Sequence, residues 1–311
     1  MIAFGPVPSR RLGKSLGINN IPAHKKCSYS CVYCQIGLTD HVTVTREVFY
    51  EPEDIVAHVE SHLNKLDKKD LPDYLTFVSN GEPTLDLNLG KSIRLLRQFG
   101  FPVAVISNSS LIASPNVREE LAEADWVSLK VDSVDSDYWM KINRPHESLS
   151  LKKILEGISV FAKSFSGKLH TETMLIANFN DSSELLQKNA SFIASLNSEV
   201  SYVSLPIRPP AVKSVSAANP QSLAAAWQIY RDSGINTELI SGFEGTGVAS
   251  TGDLVSDIMN ITAVHPLRED SLQKLIRENN ANFAVVESLI QQNSIIKTYY
   301  NGYNYYLRNL K

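Results

Sequence analysis

The 311-residue chain is predicted to fold as an α/β protein: an open, partial (β/α)6 barrel followed by a C-terminal winged-helix-like module. Two observations lead to this prediction. In the first 240 residues, short β-rich runs alternate with stretches whose apolar residues recur at steps of three and four, which is typical of a parallel sheet with helical crossovers. Further along the chain, the pattern changes to helices followed by a hairpin.

Each unit of the first part consists of a strand and a following helix. The predicted strands are Leu16–Ile21, Tyr74–Ser79, Val103–Ser107, Trp126–Val131, His170–Leu175 and Tyr202–Ile207, with a further one at Asn236–Ser241. The predicted helices are Pro52–Leu66, Leu89–Phe99, Asn116–Ala124, Leu149–Phe161, Ser183–Leu196 and Ser222–Ser233. Six such units are too few to close an eightfold barrel, so we expect the sheet to stay open.

A Ser/Gly-rich stretch, 241–247, is predicted to link two domains, 1–240 and 241–311. Helices are expected near 252–259, 266–278 and 281–292, and Asn301-Gly302 is a hairpin turn between strands Ser294–Tyr300 and Tyr303–Asn309. The third helix carries no positive residue, so reading of a DNA major groove is not expected. The tyrosines of the hairpin could stack on RNA bases or pack on the helices. A peptide partner of this module is a further alternative.

Composition and charge exclude several classes of protein. A formal net charge of −3 argues against a polybasic chain that coats nucleic acid, and 43% hydrophobic residues are ordinary for a globular protein. No stretch approaches the roughly 20 apolar residues of a membrane span, and the first residues do not form a secretory signal. Free cysteines suit a reducing compartment. We therefore expect a cytoplasmic protein without a membrane partner.

All three cysteines, Cys27, Cys31 and Cys34, lie within eight residues in the pattern C-x3-C-x2-C. Thiolates are soft, strong donors for iron and zinc. Three of them on one loop can hold three corners of a cubic iron–sulfur cluster and leave the fourth iron open for a ligand. The alternative is a zinc site completed by His24 or His41, although paired C-x2-C knuckles are more usual there.

The other motifs follow predicted strands, where open α/β folds collect ligands. Asn80-Gly81-Glu82-Pro83 is a turn after the second strand, and Gly81 permits a close approach of the backbone. The third strand ends in Ser107 and Asn108, and the fourth contains Lys130 and ends in Asp132. A buried lysine needs a partner, whereas Asn108 and Asp132 could instead cap the following helices.

The fifth and sixth strands add further polar residues. Glu172 and Thr173 lie on the fifth strand, and Arg208 follows the sixth. An arginine between prolines suits a carboxylate or phosphate ligand, and it could equally pair with Glu172 as a structural contact.

The cysteine pattern, with Tyr33 just before the last cysteine, resembles the signature of the radical S-adenosylmethionine (SAM) superfamily. The turn at 80–83 resembles its Gly-Gly-Glu-Pro motif, with Asn80 in place of the first glycine. The segment Ser9-Arg10-Arg11-Leu12-Gly13 is similar to that of a subgroup of Fe–S oxidoreductases near the tRNA wyosine synthases. No cysteine remains for the second cluster that wyosine synthases carry.

The resemblance implies a [4Fe–4S] cluster on the three cysteines and reductive cleavage of SAM to a 5′-deoxyadenosyl radical for C–H activation. It implies SAM contacts from the backbone of Tyr33 and from Asn80, Gly81, Glu82, Pro83, Ser107, Asn108, Lys130, Asp132, Thr173 and Arg208; it identifies no catalytic residue. The expected partners are an electron donor, such as flavodoxin or ferredoxin, and a substrate, an RNA base ahead of a peptide. The alternative is a non-catalytic, iron–sulfur or zinc-dependent winged-helix regulator.

Overall fold

The structure is a computed structural model that describes residues 2–22 and 24–309. These residues form an eight-stranded sheet whose strands lie in chain order. Strands β1 (Ala3–Ser9) and β2 (Gly13–Ile18) form an antiparallel hairpin. Every later strand runs parallel to the one before it: β3 (Tyr74–Phe77), β4 (Val103–Ser107), β5 (Trp126–Lys130), β6 (Lys168–Met174), β7 (Val200–Ser204) and β8 (Thr237–Ile240). This order defines a curled, open half-barrel, which confirms the predicted fold class.

Helices connect the parallel strands and bury their apolar sides against the convex face of the sheet. They are α1 (Pro52–Leu63), α2 (Leu89–Leu96), α3 (Pro115–Leu121), α4 (Ser136–Asn143), α5 (Leu151–Ser164), α6 (Ser183–Ala194) and α7 (Pro220–Asp232). Side-chain caps fix several starts: Ser182 accepts a hydrogen bond from the Leu185 amide, and Asn219 accepts one from the Ser222 amide. Each of the six predicted helices and seven predicted strands of this part has its counterpart.

One strand and one α-helix of the half-barrel were not predicted from the sequence. Strand β1 contains Pro6 and Pro8, which are unfavourable in a central strand but tolerated at the edge of the sheet, where β1 lies. Helix α4 is only eight residues long, so it shows little periodicity. Its start is defined by Asp135, whose carboxylate accepts hydrogen bonds from the amides of Asp137 and Tyr138.

The curl of the sheet brings its two edges close together. A guanidinium nitrogen of Arg10, in the β1–β2 turn, donates to the carbonyl of Ile240 in β8 at 3.2 Å. Leu12 from the same turn shares a buried apolar cluster with Ile240, and with Ala104, Trp126, Val200 and Tyr202 on the strands between. The concave face therefore has an apolar base, above which charged side chains collect.

The C-terminal residues form α8 (Leu254–Val264), β9 (Leu267–Arg268), α9 (Glu269–Glu278), α10 (Ala284–Gln291), β10 (Ile295–Tyr300) and β11 (Tyr303–Arg308). The three strands form a small antiparallel sheet in the order β10-β11-β9. The start of the helix predicted at 266–278 is strand β9 instead. The apolar core of this module includes Phe4 and Val7 of β1, so it packs on the edge of the half-barrel. Within the described ranges, we find no helix long and apolar enough to cross a membrane.

Candidate cofactor site at the carboxyl ends of the strands

The cysteine loop follows β2 and is hydrogen-bonded to the protein on two sides. On one side, the Lys26 amide donates to the carbonyl of Asn80, and the Glu82 amide donates to the carbonyl of Lys26 at 3.0 Å. On the other side, the amides of Ser30 and Val32 donate to carbonyls at the end of α4. The loop is thus positioned by the turn after β3 and by a helix that the sequence pattern did not predict.

Each cysteine has a nitrogen donor within reach of its sulfur. The side-chain amide nitrogen of Asn108 lies 3.4 Å from Cys27 Sγ, and that of Asn143 lies 3.4 Å from Cys31 Sγ. Lys25 Nζ lies 3.3 Å from Cys34 Sγ. Such donors stabilise thiolates and tune iron–sulfur clusters. The donor set therefore fits a thiolate-bound metal cluster.

The thiols of Cys27 and Cys31 lie in a poorly solvated environment. Burial raises the pKa of the Cys27 thiol to about 12, and it also raises the pKa of Cys31, with the negative charge of Asp132 adding to the effect. A positively charged metal centre offsets this cost, because it binds the thiolate form directly. Among residues 2–22 and 24–309, no three His, Cys, Asp or Glu side chains converge on a position for one metal ion.

A single zinc ion requires four ligands around one point, whereas the three cysteines of a cubic cluster bind three different iron atoms. The arrangement therefore fits a cluster better than a mononuclear zinc site.

The turn after β3 depends on Gly81. Its φ is +142°, and a Cβ at this position would lie 1.6 Å from the carbonyl oxygen of Lys26. No other residue fits without moving the cysteine loop. Pro83 starts a short 3-10 turn, and its carbonyl accepts a hydrogen bond from the side chain of Asn20.

The carboxylate of Glu82 ties the end of β3 to the end of β4. It accepts from the Thr84 amide and hydroxyl, from Ser107 Oγ at 2.8 Å and from the Asn108 amide at 2.7 Å. Burial raises the pKa of this carboxyl, and the donors oppose the shift. Among the described residues, Oε1 accepts from three of these donors and Oε2 only from the Asn108 amide. Oε2 therefore keeps a lone pair for a ligand, and Glu82 stays a predicted contact.

Lys130 and Glu172 meet on the concave face, with their charged atoms 3.3 Å apart. Glu172 also forms an ion pair with Arg11 and accepts a hydrogen bond from Ser204 Oγ. Burial alone would raise the pKa of Glu172, but Arg11 and Lys130 hold it well below its usual range. Burial alone would lower the pKa of Lys130, but Asp132 and Glu172 raise it. Glu172 and Asp132 are thus the partners that the buried Lys130 requires.

Asp132 adjoins this pair, with its Oδ1 3.5 Å from Lys130 Nζ. Its carboxylate accepts from Tyr33 Oη at 2.5 Å and from Asn143 Nδ2 at 2.8 Å. It does not cap a helix, because Asp135 is the cap of α4, and Asn108 likewise lies several residues before α3. The alternative that these two residues are helix caps is therefore wrong.

Two further expectations need correction. Successive residues of a strand face opposite sides, and Thr173 lies on the convex side of β6, where its hydroxyl donates to the Val131 carbonyl and contacts Tyr230. Its side chain is therefore turned away from the site. Arg208 does not pair with Glu172, because Arg11 does; Arg208 instead contacts Gln35, Glu244 and His265.

Sequence reasoning missed several residues of this region. Lys25 lies two residues before Cys27, a proximity that could have identified it. No sequence pattern identified Asn143, because its position depends on α4, a helix that was not predicted. Glu244 is a lone carboxylate in a stretch expected to be a linker, and His265 lies at the end of α8.

Among the described residues, two cavities of more than 200 Å³ adjoin the site. One of about 250 Å³ lies on the concave face and is lined by charged residues that include Arg10, Arg11, Lys130, Glu172, Arg208, Glu244 and His265. A larger groove of about 850 Å³ runs outside the cysteine loop, from Cys34 to the C-terminal hairpin, and contains Lys25, Lys26 and Arg308.

The fold and the cysteine site together define a class of protein. The sequence model of the Radical SAM superfamily matches residues 21–188, more than half of the chain. The chain belongs to the radical SAM superfamily, whose members are enzymes that use SAM and an iron–sulfur cluster. It is 45% identical to a UPF0026 protein of Methanocaldococcus jannaschii, over 100% of this chain and 97% of that protein.

Solved structures have a similar fold. A radical SAM methyltransferase from Sphaerobacter thermophilus superposes with a TM-score of 0.54 at 15% identity, over 73% of this chain and 66% of that chain. SuiB from Streptococcus suis, bound to S-adenosylmethionine, gives a TM-score of 0.53 at 12% identity, over 76% of this chain and 54% of that chain. At these identities the likeness concerns the fold alone.

Proposed function

We propose that Cys27, Cys31 and Cys34 hold a [4Fe–4S] cluster and that the protein cleaves SAM reductively to activate a C–H bond of its substrate. The observation that carries this proposal is the donor at each cysteine, on a loop fixed to the Gly81 turn and to α4. The cluster and SAM together supply an electron and a 5′-deoxyadenosyl radical, which is chemistry that no side chain provides.

The protein's own part is to bind, orient and exclude water. The turn Asn80–Pro83 holds the amino group of SAM, and Glu82 Oε2, which among the described residues accepts only from the Asn108 amide, is available as an acceptor. The backbone of Tyr33 serves the adenine. Asp132, fixed by Tyr33 and Asn143, is the acceptor for a ribose hydroxyl, and Lys130 is the cation for the SAM carboxylate.

The C-terminal module, which we take as winged-helix-like, presents the substrate. An RNA base is the first candidate and a peptide the second. The hydroxyls of Tyr300, Tyr305 and Tyr306 bond within the protein, whereas Tyr299 is 72% exposed and Tyr303 is 50% exposed. These two tyrosines are therefore the ones available for stacking. An electron donor such as flavodoxin or ferredoxin is the proposed partner. The groove beside Cys34, which Lys25, Lys26 and Arg308 line together with Asp40 and Glu47, is its proposed docking place.

The test is anaerobic reconstitution with iron and sulfide, followed by addition of dithionite and SAM and detection of 5′-deoxyadenosine. We expect a brown protein that forms this product and a Cys31→Ala variant that does not. His24→Ala and His41→Ala are the controls, and both should retain iron and activity, because only a zinc site would need a histidine. A colourless protein with stoichiometric zinc, or an iron protein that never cleaves SAM and binds DNA, would favour the regulator instead.

A further inference from the structure

The 250 Å³ cavity on the concave face has more positive than negative charge. Four cations line it, and two of them, Arg11 and Lys130, are balanced by Glu172 and the adjacent Asp132. The other two, Arg10 and Arg208, share one carboxylate, that of Glu244. The cavity thus carries one excess positive charge with Glu244 in place, and two if Glu244 leaves.

The carboxylate of Glu244 fits this position incompletely. Its Oε1 accepts from Arg208 and lies 3.1 Å from His265 Nε2. Its Oε2 is buried, lies 4.0 Å from Arg10 Nε, and has no hydrogen-bond partner among the described residues. Arg11 Nε is likewise buried and unpartnered within those residues. Buried polar atoms without partners are costly, so an anion with more or better placed oxygens would satisfy the cavity more fully.

Glu244 nevertheless remains ionised. Burial would raise its pKa, but the hydrogen bond with His265 and the charge of Arg208 hold the pKa well below the usual range. The position beside Arg10 and Arg208 therefore binds a negative charge, which Glu244 of the same chain supplies.

The segment that carries Glu244 is loosely packed. At Gly242, Gly245 and Gly247 around it, nothing lies within 4 Å of the position that a Cβ would occupy, and Gly245 has a φ of +103°. Besides Glu244, the segment is fastened by Phe243, whose ring lies 3.3 Å from the Arg268 guanidinium carbon, and by Arg10, which donates to the Gly242 carbonyl. A loosely packed segment held by a few side chains opens at low free-energy cost.

We infer that Arg10 and Arg208 form an anion subsite for the substrate, which Glu244 fills until a carboxylate or phosphate of the substrate displaces it and releases residues 242–247. Arginine suits both anions, because its planar fork of donors matches their oxygens. The inference rests on the proposed function only in naming the ligand a substrate.

The first experiment is calorimetric titration of the anaerobically reconstituted protein with inorganic phosphate and, separately, with acetate. Removing the competing charge in Glu244→Gln should tighten binding of one anion roughly tenfold or more. Glu238→Gln is the matched control, since Glu238 is exposed on the neighbouring strand β8 and gives the same change in net charge. Tightening of phosphate indicates a phosphorylated substrate, and tightening of acetate indicates a carboxylate. Equal affinities in both variants would overturn the inference.

Two further measurements assign the effect to this site. Adding Arg208→Met to Glu244→Gln should abolish the gain in affinity; a double variant that still binds tightly would place the anion elsewhere and refute the subsite. In the wild-type protein, saturating anion should speed chymotrypsin cleavage after Phe243, and unchanged cleavage would contradict displacement. SAM cleavage measured on the same preparation separates the two proposals: cleavage without anion binding removes only the inference, and anion binding without cleavage removes the proposed function.

Discussion

The side-chain amide nitrogen of Asn143 lies 3.4 Å from Cys31 Sγ, although 112 residues separate the two in the chain. The same nitrogen donates to Asp132, so one amide orients both a proposed cluster ligand and a proposed SAM contact. An N–H donor to sulfur stabilises the more negative, reduced form of a cluster and therefore raises its reduction potential.

Replacing Asn143 by Leu should lower the reduction potential of the reconstituted cluster. A hydrogen bond contributes about 1 kcal/mol, which is about 40 mV for a one-electron couple. The measurement is a potentiometric titration followed by electron paramagnetic resonance. Asn189→Leu is the control, because Asn189 is a buried amide that bonds to Val131 and Tyr230 and not to a cysteine. A potential that stays at the wild-type value in Asn143→Leu would show that the contact does not tune the cluster.

The turn at Gly81 gives a second prediction. Gly81→Ala should abolish iron incorporation and SAM cleavage, because the new Cβ would lie 1.6 Å from the Lys26 carbonyl and displace the cysteine loop. Gly100→Ala is the matched control: Gly100 also has a positive φ, +74°, but nothing lies within 4 Å of its Cβ position. That variant should lose only about 1 kcal/mol of stability from backbone strain and keep its iron. Normal iron content in Gly81→Ala would contradict the close contact between Gly81 and the Lys26 carbonyl.

The sequence predicted those parts of the site that are local. The cysteine spacing, the Gly81 turn and the polar ends of β4 and β5 each lie within a few consecutive residues, and parallel strands bring their carboxyl ends together by topology alone. This is why Asn108 lies beside Cys27 as the strand order suggests.

Other features depend on how far the sheet curls, which no local pattern specifies. The curl places the β1–β2 turn beside β8, so Arg11, and not Arg208, reaches Glu172. Arg208 instead pairs with Glu244, which lies in a segment that the sequence predicts to be a linker. The direction of Thr173 was predictable in principle, because Glu172 and Thr173 are adjacent on one strand and cannot face the same side.

His170 provides a prediction for pH dependence. It lies between Trp126 and Tyr202, with ring centroids 4.8 and 5.5 Å away, and among the described residues neither ring nitrogen has a hydrogen-bond partner. Burial, with the nearby charges of Lys168 and Arg11, lowers its pKa from 6.5 to about 4. The unfolded chain therefore takes up a proton at higher pH than the folded protein does, and stability falls as the pH drops from 6.5 towards 4.

A His170→Phe variant should lack this component of the acid sensitivity, because phenylalanine keeps the aromatic packing without a titrating group. Melting temperatures are measured between pH 8 and pH 4. As the pH falls below about 6.5, the melting temperature of the wild type should fall more steeply than that of His170→Phe, whereas above pH 6.5 the difference between the two should stay constant. His58→Phe, at an exposed position on α1, should follow the wild-type profile. Parallel profiles for wild type and His170→Phe would mean that the folded protein protonates His170 as readily as the unfolded chain.

The hairpin tyrosines divide into packing residues and surface residues, and stability measurements separate them. Tyr306 is fully buried, and its hydroxyl lies 2.8 Å from the carboxylate of Glu269. Tyr306→Phe removes this charge-assisted hydrogen bond and should lower the free energy of unfolding by about 1–2 kcal/mol in urea titrations. Tyr299→Phe, at a side chain that is 72% exposed, should change it by less than about 0.5 kcal/mol. Equal losses in the two variants would mean that Tyr299 also packs in the module, and Tyr299 would then be unavailable to stack on a substrate base.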